Sequence, residues 1–254
     1  MRYYPAHSGY PSYPEANKAI EEVFAEHGRG EVQMPPKIYV TLTERGDFRT
    51  MPACLPVLGI AGIKVVNVNP DNRARGLPTS MALTTLIDVE TGIPKAIINA
   101  TELTAIRTGA AGAVAAKYLV ARPQKPVTLG FIGAGRQAAA LIEAMAAALE
   151  VEEVRVWSRT EKSANAFATR YAEYNTTSAT IERACACDLL TTTTPSTEPI
   201  IMGEWIREGT HINAIGADAP GKRELDLDLL LKSEVFVDDL SQAMHSGEIN
   251  VPVD

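Results

Sequence analysis

The sequence predicts an α/β protein in which a doubly wound parallel sheet fills the second half and a smaller α+β domain precedes it. Three observations carry that expectation. Beyond residue 126, short apolar runs alternate with helix-length amphipathic segments, as βαβ units require. Between residues 37 and 100 the strand-like runs follow one another instead, parted by Gly, Pro, Asn and Asp. The segment Ala121-Arg122-Pro123-Gln124-Lys125-Pro126 reads as a linker, which places the domains at 1–120 and 121–254. At 254 residues and 46% hydrophobic content, the chain can bury two modest cores.

The Tyr-, Pro- and Ser-rich start, up to Tyr13, reads as a loose arm. Ser12-Tyr13-Pro14-Glu15 is a capping box, so a helix begins there, with Ala16, Ile20, Val23 and Phe24 on one face and Gly28 and Gly30 as its stop. Pro35-Pro36 then forces extended chain. Strands are expected at 37–42, 48–53, 59–68, 80–88 and 96–100. From 101 to 120 the spacing turns helical, with Leu103, Ile106, Ala110 and Val114 on one face and Gly109 and Gly112 small enough for close packing. The doubly wound half is predicted as strand 127–132, helix 137–149, strand 154–157, helix 161–173, and strands 188–193, 212–215 and 235–237.

Composition removes several classes of function. A formal charge of −7 without a Lys/Arg cluster gives no surface for tracking nucleic-acid phosphates. No run of about 18 apolar residues exists to span a membrane, and the N-terminus has no secretory apolar core. The three cysteines, Cys54, Cys185 and Cys187, are odd in number and wrongly spaced for a disulfide framework or a zinc half-site, which fits a reducing cytoplasm. The four histidines are scattered, so no metal site is expected, and neither a Walker loop nor a G-x-S-x-G elbow occurs.

The sharpest local signal is Gly133-Ala134-Gly135-Arg136-Gln137-Ala138, which follows the apolar run 127–132 and opens an Ala-rich helix. That is the Rossmann dinucleotide fingerprint in the context it requires. Gly133 permits the tight turn, Gly135 lets backbone amides reach a pyrophosphate, and Ala138 lets helix and strand pack closely. The second strand lacks the acid that usually accepts the adenosine ribose hydroxyls; Ser158-Arg159-Thr160 stands there instead. Two hydroxyls and a guanidinium suit a 2′-phosphate, which favours NADP over NAD, although an arginine can equally stack on adenine.

Lys64 lies inside an otherwise apolar run, where a buried ammonium needs an anionic partner; an edge strand would instead let it reach water. Arg49 and Arg107 are each compatible with plain surface charge, yet with Lys64 they could clamp a carboxylate. Asp218 follows an apolar run in a Gly/Pro-bounded loop, where ligands of open α/β sheets bind; it is a candidate proton acceptor, or equally an Asx turn. Thr194 and Pro195 line a cofactor cleft or simply end a strand.

Taken together the chain resembles the ornithine cyclodeaminase/μ-crystallin family, above all its archaeal-type alanine dehydrogenases. The resemblance runs from about Gln33 to Val253 through Met34-Pro35-Pro36-Lys37, Arg49-Thr50-Met51-Pro52-Ala53, Gly62-Ile63-Lys64, Arg107-Thr108-Gly109-Ala110-Ala111, the Gly133 loop, Gly216-Ala217-Asp218 and Gly247-Glu248-Ile249-Asn250. It implies that Arg49, Lys64 and Arg107 handle the substrate carboxylate and carbonyl, and that Asp218 is the catalytic carboxylate. It also implies NAD(P)-dependent oxidation of a small L-amino acid, with ornithine cyclodeamination or ketimine reduction as the enzymatic alternatives and a μ-crystallin-like NADP(H) binder of little turnover as the non-enzymatic one. A homodimer built through the first domain is implied as well. Two departures stand out: the sequence ends at Val253-Asp254, ahead of the family's Asp-Ser-Thr-Gly segment and returning helix, and the family's first strand is replaced by the Tyr/Pro arm. The shortened end implies an uncovered sheet edge or apolar patch and an incomplete pocket.

Overall fold

The computed structural model describes residues 1–6, 9–44, 46–121 and 126–251. Most of the expected linker (122–125) and Val253 lie outside the described residues. Two compact units result, Met1–Arg107 and Thr108–Asp254, so the division falls inside a helix rather than at residue 120.

In the first unit, helix α1 (Tyr13–Gly28) starts at the predicted capping box. The Ser12 backbone N–H donates to Glu15 Oε2 at 2.8 Å, satisfying a donor that the helix itself cannot. Beside it is a six-stranded sheet in the order β1-β6-β5-β4-β3-β2. Its strands are β1 (Arg2–Tyr4), β2 (Ile38–Thr43), β3 (Gly46–Leu55), β4 (Ile60–Val68), β5 (Ser80–Asp88) and β6 (Pro94–Asn99). The five later strands pair antiparallel, as their short turn-separated runs suggest, whereas β1 pairs parallel with β6. β1 corrects the sequence reading: the arm does supply a first strand, but only three residues of it, held by a partner more than ninety positions away, which no local pattern reveals.

Register decides which side chains share a face. Lys64 stands opposite Met51 and Thr84, and Val66 stands opposite Arg49 and Ala82, while Tyr39 stands opposite Arg49. Directly opposed residues point the same way, so Tyr39, Arg49, Lys64 and Val66 lie on one face. There Val66, Ala82 and Ala100 form a small core, capped by Met51 and by Leu103 of helix α2 (Thr101–Leu119). The opposite face carries Ile38, Val40, Met81 and Leu83, all exposed.

The second unit holds a five-stranded, wholly parallel sheet in the order β11-β10-β7-β8-β9. The strands are β7 (Val127–Ile132), β8 (Val151–Trp157), β9 (Thr176–Ser178), β10 (Leu189–Thr192) and β11 (His211–Ala214), with helices α3 (Arg136–Ala146), α4 (Glu161–Arg170), α5 (Ile181–Cys185), α6 (Leu227–Lys232) and α7 (Leu240–Ser246) around them. The chain winds outward from β7 in both directions, so the connection reverses between β7 and β10, the switch point where such sheets bind ligands. Phe131, Leu129, Ile132, Leu189 and Leu190 are fully buried in this sheet. Gly109 and Gly112 serve as expected: a Cβ on Gly109 would come within 2.5 Å of the Ala140 carbonyl oxygen, and one on Gly112 within 2.5 Å of Leu141.

Two expectations are corrected here. The apolar run 235–237 forms no strand and its three side chains are exposed; among the described residues no strand pairs with it. The helix predicted over 161–173 ends at Arg170, and a 3₁₀ turn at Ala172–Tyr174 leads through Asn175, at φ 51°, into the unpredicted β9. β9 and α5 are too short to show a period.

Candidate functional site

The fingerprint forms a cradle at the carboxyl ends of the strands. Ile132, Trp157, Thr192 and Ala214 end β7, β8, β10 and β11 side by side, and the Gly133 N–H donates to the Trp157 carbonyl at 2.8 Å. Gly133 has φ +114°, and a Cβ there would lie 2.4 Å from Thr193 Oγ1, so only glycine fits both the turn and the neighbour. Gly135 is the N-cap of α3 and brings no side chain to its first-turn amides; the space where its Cβ would stand is open. Open amides at a positive helix terminus match what a pyrophosphate needs. Arg136 and Gln137 begin the helix, Gln137 Oε1 is buried with no partner, and Ala138 is fully buried against the sheet. The residues present therefore fit a dinucleotide.

The tip of β8 is less uniform than the sequence suggested. Ser158 is half-buried and Arg159 exposed, but Thr160 is the N-cap of α4, where its Oγ1 accepts from the Ser163 N–H at 3.3 Å. Its hydroxyl oxygen is committed to the helix, which leaves Ser158 and Arg159 as the residues of the three without that commitment.

Thr194 and Pro195 follow β10, and Asp218 follows β11, so the same sheet edge presents both loops. Asp218 Oδ1 receives Lys222 Nζ at 2.5 Å, and its side chain is 44% exposed. Lys222 thus holds the carboxylate at the loop surface, a partner the sequence did not reveal. Behind these loops lie two buried acids, Glu224 and Glu248, that sequence reading gave no role; the only signal was Glu248 within the Gly247-Glu248-Ile249-Asn250 segment.

In the first unit the structure brings Lys64, Arg49 and Arg107 together and adds Lys37, which sequence reading had not singled out as a site residue. Burial, then the charges of Arg107, Lys37 and Arg49, push the Lys64 ammonium down to about 6. Arg49 is 5% exposed and held in a fork by Asp47, with Nε–Oδ1 at 2.9 Å and Nη2–Oδ2 at 3.3 Å, while its guanidinium lies 5.1 Å from the Tyr39 ring centre. Lys37 Nζ sits over the same ring at 5.8 Å. Arg49, Lys37 and Arg107 thus place positive charge around a Lys64 amine that burial keeps largely neutral, an arrangement suited to an anion, and a planar carboxylate is the group that an oriented guanidinium grips best.

The ornithine cyclodeaminase/mu-crystallin family model matches residues 11–254. An alanine dehydrogenase of Archaeoglobus fulgidus is 51% identical over 245 residues, which cover 95% of this chain and 74% of that protein. Among solved structures, an archaeal alanine dehydrogenase dimer with bound NAD superposes at a TM-score of 0.94 with 47% identity, covering all of this chain and 79% of the other. The Thermococcus litoralis Δ1-pyrroline-2-carboxylate reductase, solved with NADH and L-proline, superposes at 0.93 with 32% identity, covering all of this chain and 80% of the other.

Proposed function

The chain belongs to the ornithine cyclodeaminase/mu-crystallin family, and from that premise we propose that it oxidises a small L-amino acid to a 2-oxo acid and ammonium with a nicotinamide dinucleotide. The observation that carries the reading is the cation ring around Lys64, built as a carboxylate receptor in a chain that also holds a dinucleotide cradle. A nicotinamide dinucleotide held there would supply the hydride acceptor for the substrate α-carbon. Arg49, Lys37 and Arg107 hold the substrate carboxylate, and Lys64 completes that grip or polarises the carbonyl oxygen of the product. Asp218 takes the proton from the amine or from the attacking water, and Lys222 holds its carboxyl group in place until then. Gly133, Ala134, Gly135, Arg136, Gln137 and Ala138 seat the pyrophosphate, Ser158 and Arg159 meet the adenosine end, and Thr194 and Pro195 border the nicotinamide end.

Cyclic imino-acid reduction is a second reading, favoured by the likeness to the T. litoralis reductase, and it uses the same residues in the reverse direction. Rates measured with L-alanine and NAD⁺ or NADP⁺, with L-ornithine while following proline and ammonia, and with a cyclic ketimine plus reduced nucleotide separate the outcomes. Alanine-dependent reduction of the nucleotide is expected. Retention of neither nucleotide at millimolar concentration overturns the proposal, and nucleotide binding without turnover of any of these substrates identifies a binding protein instead.

The homodimer is also part of this reading. The exposed apolar rows Ile38 with Leu83 and Val40 with Met81 give the first unit's sheet a face suited to a second copy, and the archaeal relative is described as a dimer. Light scattering on the purified protein is expected to give twice the chain mass.

A further inference from the structure

We propose that Glu224 is the positioning residue that joins the two loops of the sheet edge, holding the Thr194-Pro195 loop and the Asp218 loop in one fixed arrangement. The inference rests on the roles given above to those loops. Glu224 is fully buried. Its Oε1 accepts from the Thr194 N–H at 2.7 Å, and its Oε2 accepts from the Thr192 hydroxyl at 2.6 Å and from the Gly216 N–H at 3.0 Å. One carboxylate thus spans the ends of β10 and β11.

The approach is close because position 216 is glycine: a Cβ there would lie 2.2 Å from Glu224 Oε2 and 2.3 Å from the Thr194 carbonyl oxygen. All three partners donate, and two are backbone amides that cannot turn round, so the site is written for an acceptor-only group. Burial pushes the Glu224 carboxyl up, and the bonds from Thr192 and Thr194 pull it back.

Glu224 is itself anchored from behind. Its own N–H and that of Leu225 both donate to Glu248 Oε1 at 2.6 Å. Asn250 accepts from the Gly221 N–H and donates to the Lys222 carbonyl, each at 2.8 Å. The loop bearing Asp218 is therefore tied at Gly216 by Glu224 and from Gly221 to Leu225 by Asn250 and Glu248. What remains free to move between the ties is short. Asp218 is left with side-chain rotation, which its Lys222 partner restrains.

Glu224→Gln keeps the shape and tests the idea. Whichever way the carboxamide turns, its NH₂ meets a backbone N–H, at Thr194 on one side or Gly216 on the other, so one tie is lost. Hydrogen exchange of the nucleotide-free protein is expected to quicken by about tenfold or more in segment 193–196 or segment 215–221, whichever loses its tie, and to stay unchanged over 127–140. Because the pyrophosphate cradle is untouched, NAD⁺ binding is expected to weaken less than kcat, which falls about ten- to a hundredfold through misplaced groups. Glu224→Asp retains the charge but loses the span, and behaves like the glutamine variant. Should Glu224→Gln fail to fold, Thr192→Val removes the hydroxyl that fixes Oε2 and is expected to raise exchange at 193–196 and 215–221 by a smaller factor.

Wild-type exchange in both loops of the variant that folds overturns the proposal. So does a loss of protection spread evenly over residues 127–246, which marks a purely structural role, and so does full activity in Glu224→Asp. If the wild-type protein turns over no amino or imino acid, the functional reading falls while the exchange measurements still decide whether Glu224 joins the loops.

Discussion

Replacing Lys64 by Met converts the electrostatics of the cation ring into a measurable proton count. With the ammonium held down to about 6, Lys64 in the empty protein is only about 1% protonated at pH 8. A carboxylate arriving among Arg49, Lys37, Arg107 and Lys64 favours the charged amine and pulls that value back toward the ordinary 10.5. Binding a 2-oxo acid at pH 8 should therefore take up nearly one proton per site, with the uptake fading below pH 6, where Lys64 is already charged. Titration calorimetry in buffers of different ionisation enthalpy reads the uptake directly from the slope of heat against buffer enthalpy. Lys64→Met should bind more weakly and show no uptake. The sign for stability follows from the same numbers: between about pH 6 and 10.5 the unfolded chain binds the proton that the folded chain has released, so stability gains up to about 1.4 kcal/mol per pH unit as pH rises, and Lys64→Met flattens that slope. Wild-type binding of the 2-oxo acid with zero proton uptake, or an unchanged uptake in Lys64→Met, refutes the reasoning.

Three further outcomes are expected. Gly133→Ala forces a side chain into φ +114° and against Thr193 Oγ1, and should cost about 1–3 kcal/mol in denaturant unfolding and weaken nucleotide binding by more than about tenfold in a fluorescence titration. Arg159→Asp should lower NADP⁺ affinity by about tenfold or more while leaving NAD⁺ within about threefold, because the guanidinium stands at the end of β8 where a 2′-phosphate would be placed; an equal loss for both nucleotides would mean that it stacks on adenine instead. Asp218→Asn should reduce kcat by about a hundredfold or more with little effect on nucleotide binding, and Lys222→Met should lower kcat by about tenfold by releasing the Asp218 side chain from its ion pair; full turnover in Asp218→Asn would dismiss the role given to it.

The sequence alone specified the parts whose physics is contiguous. The Gly133–Ala138 cradle is a turn, a helix start and a packing contact within six residues, and the capping box of α1 closes over four, so each is legible without knowing what lies across the fold. The βα alternation after residue 126 likewise announces a parallel sheet, since crossover helices admit no other arrangement. Tertiary structure decided whatever depended on a distant partner. The sequence could offer Arg49, Lys64 and Arg107 only as a possible clamp and left Lys37 aside; the β2-β3-β4 register and the start of α2 decide that all four are near one another. β1 exists because β6 offers it an edge, and 235–237 stays irregular, with no strand among the described residues paired to it, although its pattern is the more strand-like of the two. Glu224 and Glu248 had no role in the sequence reading, because a hydrogen-bond donor from another loop leaves no trace in the order of residues around its acceptor.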